Sequence, residues 1–236
     1  MNIFKQASYL TIDDAPSKVF KEKVDILKRK NIPAIFFCRG DRLQHFMDTA
    51  IYAIKNGFIL ANHAYSHRYF SSLSLKECKE EIYRTDMLLS DIYEQANVKM
   101  PLKLFRFPYG DKGISQKLFL NVFRISKKFR EIQEYLSVLG YCNIELKGYK
   151  KRFPLSSLLN DRDVYWTFDV MEWIPGDNIY SHKLFGVDRM IERIDKNISH
   201  QYNEIILIHD HENTHLFFEP IINKLSERGL EFILPS

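Results

Sequence analysis

Cysteine is scarce in this chain and poorly placed for cross-linking: Cys38, Cys78 and Cys142 are odd in number, far apart and form no CxxC pair. Neither a disulfide framework nor a cysteine-ligated zinc site is suggested, and reduced, structural thiols are expected. With only 9 glycines and 8 prolines in 236 residues, long disordered or linker tracts are excluded as well. No apolar run approaches the roughly 20 residues that cross a bilayer. The opening Met1-Asn2-Ile3-Phe4-Lys5 lacks the basic and apolar regions of a signal peptide. A soluble, unexported chain is the expectation, its location cytoplasmic or open. Basic runs are missing too. The net charge is +4, with lysine and arginine dispersed among acids. The densest stretch, Arg124 to Arg130, is broken by Ile125 and Phe129 at helical spacing, so it reads as a solvated helix face and no nucleic-acid partner is expected.

What is present fits a folded enzyme-like body. Hydrophobic residues make up 45% and charged residues 27%, enough for one sizeable core. Short β-rich runs occur at Ser8–Ile12, Ala34–Cys38, Phe58–Ala61, Leu104–Phe107, Val164–Val170, Ile205–Ile208 and Leu230–Leu234. Between them, Ser17–Lys30, Asp41–Asn56, Ser74–Ala96, Asp188–Tyr202 and Thr214–Arg228 carry apolar residues every three or four positions. Strands alternating with helices imply βαβ units and a parallel sheet, and seven strands with outer helices fit a barrel better than an open sheet. Residues 1–236 read as one domain. The rhythm breaks at about 115–163, where a basic amphipathic helix (Ser115–Leu139) precedes an aperiodic stretch, and an insertion is expected there.

Polar residues gather at the carboxyl ends of the predicted strands, where α/β barrels place their active sites. The first strand runs into Asp13-Asp14, two carboxylates that point apart if the backbone stays extended. One could bind a cation and the other handle a proton; alone, the pair equally suits a helix N-cap and first-turn acid. The third strand ends in Asn62-His63-Ala64-Tyr65-Ser66-His67. One helical turn would bring its two imidazoles to the same face as metal ligands, while an isolated HxxxH also fits capping histidines. The fourth reads Arg106-Phe107-Pro108-Tyr109-Gly110, a guanidinium able to grip a carboxylate and a turn able to expose an amide. Asp169-Val170-Met171-Glu172-Trp173 and Leu207-Ile208-His209 end two further strands.

Taken in order, these segments resemble the NodB-type polysaccharide deacetylases, the family 4 carbohydrate esterases. The TFDD motif of that family appears as Thr11-Ile12-Asp13-Asp14, HxxxH as His63 to His67, RxPY as Arg106 to Tyr109, DxxDW as Asp169 to Trp173 and LxH as Leu207 to His209. The resemblance spans nearly the whole chain and implies a distorted (β/α)7-type barrel that removes acetyl groups from N-acetylated sugars. It further implies a divalent metal, most often zinc and sometimes cobalt or nickel, on Asp14, His63 and His67. Asp13 is then the general base, Arg106 its partner, and the Tyr109 amide the oxyanion donor. His209 is the acid that protonates the leaving amine, and Tyr109, Trp173 and Asp169 are substrate contacts. Glu172 stands where the family has the aspartate that orients the acid histidine. Ala15 replaces a glycine and Ile12 a phenylalanine beside the metal ligand.

Three rival readings follow from the same residues. His211-Glu212-Asn213-Thr214-His215 satisfies the HExxH pattern of zinc proteases. That motif must lie within a helix and have a third ligand downstream, yet here it follows a strand-like run and leaves only Glu219 or Glu231 as improvised ligands. Two histidines and a carboxylate could also hold the iron of an oxygenase, a scheme with no use for Asp13, Arg106 or His209. A non-catalytic sugar-binding module would need no acid and base flanking a metal.

Overall fold

The computed structural model describes residues 6–113, 127–144, 162–171, 187–198 and 203–235. A parallel sheet lies at its centre, with strand order β3-β2-β1-β5-β4 and β6 added to the start of β1. These strands are β1 (Gln6–Ala15), β2 (Ile35–Cys38), β3 (Ile59–Asn62), β4 (Phe168–Asp169), β5 (Glu204–His209) and β6 (Leu230–Phe232). Helices α1 (Phe20–Arg29), α2 (Gly40–Leu43), α3 (Met47–Lys55), α4 (Leu75–Ala96) and α5 (Lys127–Val138) follow the early strands. The helices Val187–Asn197 and His215–Glu227 flank β5.

Strand alternation sorts the side chains into two cores. From β1, β2 and β5, Leu10, Ile12, Phe36, Cys38, Ile206 and Ile208 point outward, to be covered by the helices. Their alternates Tyr9, Ile35, Phe37 and Ile205 fill the inside together with Ile59, Ala61, Leu104 and Val164. Thr11 and Asp13 have the parity of Tyr9, and Leu207 and His209 that of Ile205, so the period of two carries chemistry to the inner mouth. Both faces of each central strand are buried, which is why these runs are apolar almost throughout.

The ring is distorted rather than regular. The expected fourth strand pairs only through single residues, Phe105 bridging to Asn62 on one side and to Asp163 on the other. Pro101 and Pro108 bound that stretch without amide hydrogens to extend the ladder. The expected strand Val164–Val170 is likewise reduced to Phe168–Asp169. Its segment nevertheless carries the ladder round: Val164 donates to the Phe105 carbonyl and Thr167 to that of Ile205. The helix expected over Asp41–Asn56 is split, because Phe46 leaves helical geometry at φ −125°. By contrast α4 starts where the sequence places it. Ser74 accepts from the Glu77 amide and the Glu77 carboxylate accepts from the Ser74 amide, a reciprocal cap. The amphipathic stretch from Ser115 is seen as α5 over Lys127–Val138, and residues 114–126 and 145–161 of the expected helix and insertion lie outside the described residues. Among the described residues, no helix is long and apolar enough to cross a membrane.

A buried polar knot ties the end of β5 to the start of α1. Lys23 and Asp210, both fully buried, form an ion pair at 2.9 Å. Asp210 also accepts from the Ser17 amide (2.6 Å) and hydroxyl (2.8 Å). A charge pair this deep is stable only while both partners remain. Lys23→Met should therefore lower the unfolding free energy by about 3–5 kcal/mol in urea titration; a loss below about 1 kcal/mol would mean that Ser17 alone satisfies Asp210.

Candidate active site

The inner mouth opens into a pocket of about 500 Å³ lined by Asp13, Asp14, His63, His67, Tyr109 and His209, with Arg39, Arg42, Tyr69, Trp166, Asp169 and His211 around them. Asp13 and His209 are direct register partners on β1 and β5, so a carboxylate and an imidazole face the opening from neighbouring strands. An extended backbone would send Asp14 to the other face. Instead Asp14 adopts φ +63° and the β1–β2 register slips between Ile12 and Ala15. Both carboxylates therefore enter one mouth, the extended backbone that would part them being broken at Asp14, and each is only 4% exposed.

Buried anions need positive or donor partners. For Asp13 that partner is Arg106, whose Nη1 donates to Oδ1 at 2.7 Å. The guanidinium, 1% exposed, also donates to the Thr11 hydroxyl and to the Val164 and Tyr165 carbonyls. Phe37 lies against it, 4.1 Å from the ring centroid. With its donors committed to four acceptors on two segments, Arg106 is locked in place, and its grip on Asp13 is through one nitrogen rather than a two-point fork.

Asp14 has a different set of neighbours. Its Oδ1 lies 3.0 Å from His67 Nε2 and 3.9 Å from His63 Nε2, while its Oδ2 lies 2.7 Å from His211 Nε2. Ligand atoms of Asp14, His63 and His67 all fall within 4.8 Å of one another. His63 Nδ1 stands 2.8 Å from the Arg106 carbonyl, an acceptor only, so the proton sits on Nδ1 and the Nε2 lone pair faces the carboxylate. Burial and the neighbouring His63 push His67 down to about 3, keeping its imidazole neutral. Burial would raise the Asp14 carboxyl, yet the His211 hydrogen bond and the imidazoles of His67 and His63 hold it far below the carboxylate range. The buried Oδ1 makes no hydrogen bond among the described residues. An unpartnered anionic oxygen facing two imidazoles fits a divalent cation of the zinc kind, which one carboxylate and two imidazoles would hold with positions left open.

The loop carrying the two histidines is not a helical turn. Ala64 and His67 take φ of +61° and +56°, folding the chain so that both rings reach Asp14. Glu81 of α4 latches this loop from behind, accepting from the Tyr65 amide (3.0 Å), the Ser66 amide (2.7 Å) and the Ser66 hydroxyl (2.6 Å). Gly40 and Asp41 stitch it to the end of β2 through their amides, on the carbonyls of Ala64 and Tyr65. A β-carbon on Gly40 would sit 2.4 Å from the Tyr65 ring and 2.5 Å from the Thr85 hydroxyl, so the close approach requires glycine.

Tyr109, at φ +58°, stands over His67 with ring centroids 4.4 Å apart, and Tyr69 stacks on it at 4.0 Å and 10°. Both tyrosines are more than half exposed, an aromatic surface beside the mouth. Asp169 lines the pocket and accepts from the Met171 amide at 2.7 Å. Glu172 and Trp173 lie outside the described residues. The structure thus brings together Asp13, Asp14, His63, His67, Arg106, Tyr109, Asp169 and His209. Glu81 and Tyr69 escape a sequence reading. Glu81 sits in the middle of a helix with no local signal, whereas an aromatic two residues after HxxxH could have marked Tyr69. The HExxH pattern builds no site: His211 is on Asp14, whereas His215 is on Glu22 of α1 at 3.1 Å, and the motif straddles a 3-10 turn and a helix start.

Removing the latch isolates its role. Glu81→Ala strands two loop amides and should cost about 2 kcal/mol or more in stability. It should also weaken zinc binding about tenfold, measured by chelator competition. Unchanged zinc affinity would mean that His67 is placed independently of this loop.

Comparison with known proteins follows the same lines. The family model described as Polysaccharide deacetylase matches residues 4–123, just over half of the chain. The putative polysaccharide deacetylase YheN of Bacillus subtilis is 27% identical over 235 residues, covering 98% of this chain and 67% of YheN. The peptidoglycan-N-acetylmuramic acid deacetylase PdaC of Bacillus subtilis is 36% identical over 110 residues, 46% of this chain and 22% of PdaC. Among solved structures, a family 4 carbohydrate esterase from Streptomyces lividans superposes with a TM-score of 0.66 at 21% identity, covering 98% of this chain and 93% of that one. A family 4 pseudoenzyme from Bacillus anthracis superposes at 0.63 and 20% identity, covering 97% of this chain and 63% of that one.

Proposed function

Because the chain belongs to the polysaccharide deacetylase family, we propose that it hydrolyses the acetamide of an N-acetylated sugar, releasing acetate and a free amine. The observation that carries this reading is the meeting of two buried carboxylates, Asp13 held by Arg106 and Asp14 by His67 and His211, with His63 Nε2 between them at 3.6 Å from Asp13 Oδ2 and 3.9 Å from Asp14 Oδ1. The substrate class is supported by the names of the relatives, deacetylases of polysaccharide and of peptidoglycan.

In this scheme Asp14, His63 and His67 hold the metal, zinc being the best match to the ligand set, with cobalt or nickel able to replace it. When bound, the metal polarises the acetyl carbonyl and acidifies water. Asp13 takes the proton of the attacking water. Arg106 keeps Asp13 aimed, its other donors being tied to the barrel wall. As the C–N bond breaks, His209 gives a proton to the departing nitrogen from the neighbouring strand. The turn at Tyr109 supplies an amide toward the developing oxyanion. Tyr109, Asp169 and Trp173 contact the sugar. Glu172 takes the part of orienting His209.

A second reading keeps the fold and sugar binding without catalysis, favoured by the likeness to the Bacillus anthracis pseudoenzyme. Acetate release separates the two. Incubation with N-acetylglucosamine oligomers and muropeptides should yield acetate with zinc or cobalt and none after chelation. Asp13→Asn should bind zinc normally and lose about 10²- to 10⁴-fold in kcat, the usual contribution of a general base. Sugar binding without acetate under every metal condition would establish the non-catalytic reading instead.

A further inference from the structure

His211 takes no part in the acid, base or ligand scheme, yet it makes the only hydrogen bond to Asp14 Oδ2 among the described residues, at 2.7 Å. The two oxygens of Asp14 are thereby divided. Oδ1 is buried, without a hydrogen bond and directed at His67 and His63, whereas Oδ2 is held by the His211 ring. The placement of His211 is itself determined from below. Its carbonyl accepts from Lys23 Nζ (3.0 Å) and from the Thr214 amide (3.2 Å) and hydroxyl (2.9 Å). The preceding Asp210 is clamped by Lys23 and Ser17, and its amide donates to the Asp13 carbonyl at 2.8 Å. Three consecutive residues therefore serve one mouth: His209 faces Asp13, Asp210 anchors the turn and His211 reaches across to Asp14.

We propose that His211 is a positioning residue for the metal-site carboxylate: its Nε2–H donates to Asp14 Oδ2, blocks that oxygen and leaves Oδ1 as the single oxygen presented to the cation. This rests on the metal site proposed above. A carboxylate at left-handed φ can rotate about its own side-chain bonds, and a donor on one oxygen removes that freedom before the metal arrives. The same arrangement assigns a use to the first histidine of the HExxH pattern while leaving the second, His215, on Glu22 and away from the mouth.

The test compares zinc affinity, by competition with a chromogenic chelator, in the wild type, His211→Phe, His211→Gln and His215→Phe. His211 is about one third exposed, so a ring of similar size without a donor is tolerable there. His211→Phe should bind zinc about 10- to 100-fold more weakly, the usual effect of losing a partner that orients a ligand. His211→Gln, which keeps a donor, should stay within about threefold of the wild type, as should His215→Phe. The cobalt form of His211→Phe should retain the wild-type visible spectrum at saturating metal, because no ligand has been lost. Equal zinc affinity in His211→Phe and the wild type overturns the proposal, as does an equal loss in the phenylalanine and glutamine variants. A changed cobalt spectrum overturns it too, since His211 would then be a ligand. A wild type that binds no zinc would instead remove the metal site on which the proposal stands. Should the phenylalanine variant not fold, the glutamine variant decides: affinity near wild type supports the donor role and a tenfold loss overturns it.

Discussion

Two carboxylates on consecutive residues, both nearly inaccessible to water, can coexist only if positive charge or hydrogen-bond donors meet each one separately. Most of the mouth follows from that constraint. Arg106 reaches Asp13 and is held by carbonyls of the neighbouring segment, Val164 and Tyr165. Asp14 turns away from its neighbour by leaving the extended conformation, which brings it among three imidazoles instead of beside the same guanidinium. The separation leaves each carboxylate with its own surroundings, a guanidinium for Asp13 and imidazoles for Asp14. Without the bend at Asp14, the inner face would present one carboxylate and the helix-covered outer core would receive a bare charge.

Much of this was readable in the residues because two periodicities do different work. Alternation in Tyr9-Leu10-Thr11-Ile12-Asp13 and in Ile205-Ile206-Leu207-Ile208-His209 already divides inward from outward positions, so the strand ends that would carry polar groups could be named. Ser74 with Glu77 marked the start of α4. The motif order supplied the rest of the candidate set. Positive φ has no such signature when the residue is not glycine. Asp14, Ala64, His67 and Tyr109 all adopt it here, so neither the break in extended backbone at Asp14 nor the non-helical course of the HxxxH segment could be read from residue types. The shortened fourth and fifth strand candidates belong to the same class of miss. A ladder is a property of two segments, and apolar runs such as Leu104–Phe107 do not disclose how many neighbours they keep.

The polar knot beneath the mouth explains why the segment after β5 carries so many polar residues. Ser17, Lys23 and Asp210 are buried in a region that hydrophobic residues could fill with less desolvation, and such pairs seldom add net stability over apolar replacements. Their geometric yield is different in kind. Asp210 is bonded to the Asp13 carbonyl through its amide and to the beginning of α1 through its side chain, so the ends of β1 and β5 are held in one register where their side chains must cooperate. Glu81 does for the histidine loop what Lys23 does for this turn: a single buried charge gathers several partners, two amides and a hydroxyl on Glu81, and the His211 carbonyl, the Thr214 hydroxyl and the Asp210 carboxylate on Lys23.

Asp14, His67 and Tyr109 line one opening, and each holds a backbone shape that glycine would adopt at no steric cost and that other residues adopt at about 1–3 kcal/mol apiece. Evolution toward a hardier protein therefore has an easy local route at the rim, glycine by glycine, and every step along it erases a side chain that the opening uses. Selection for heat tolerance in such a chain would have to work on the outer helices and the base of the barrel, leaving the rim as its permanently softest part.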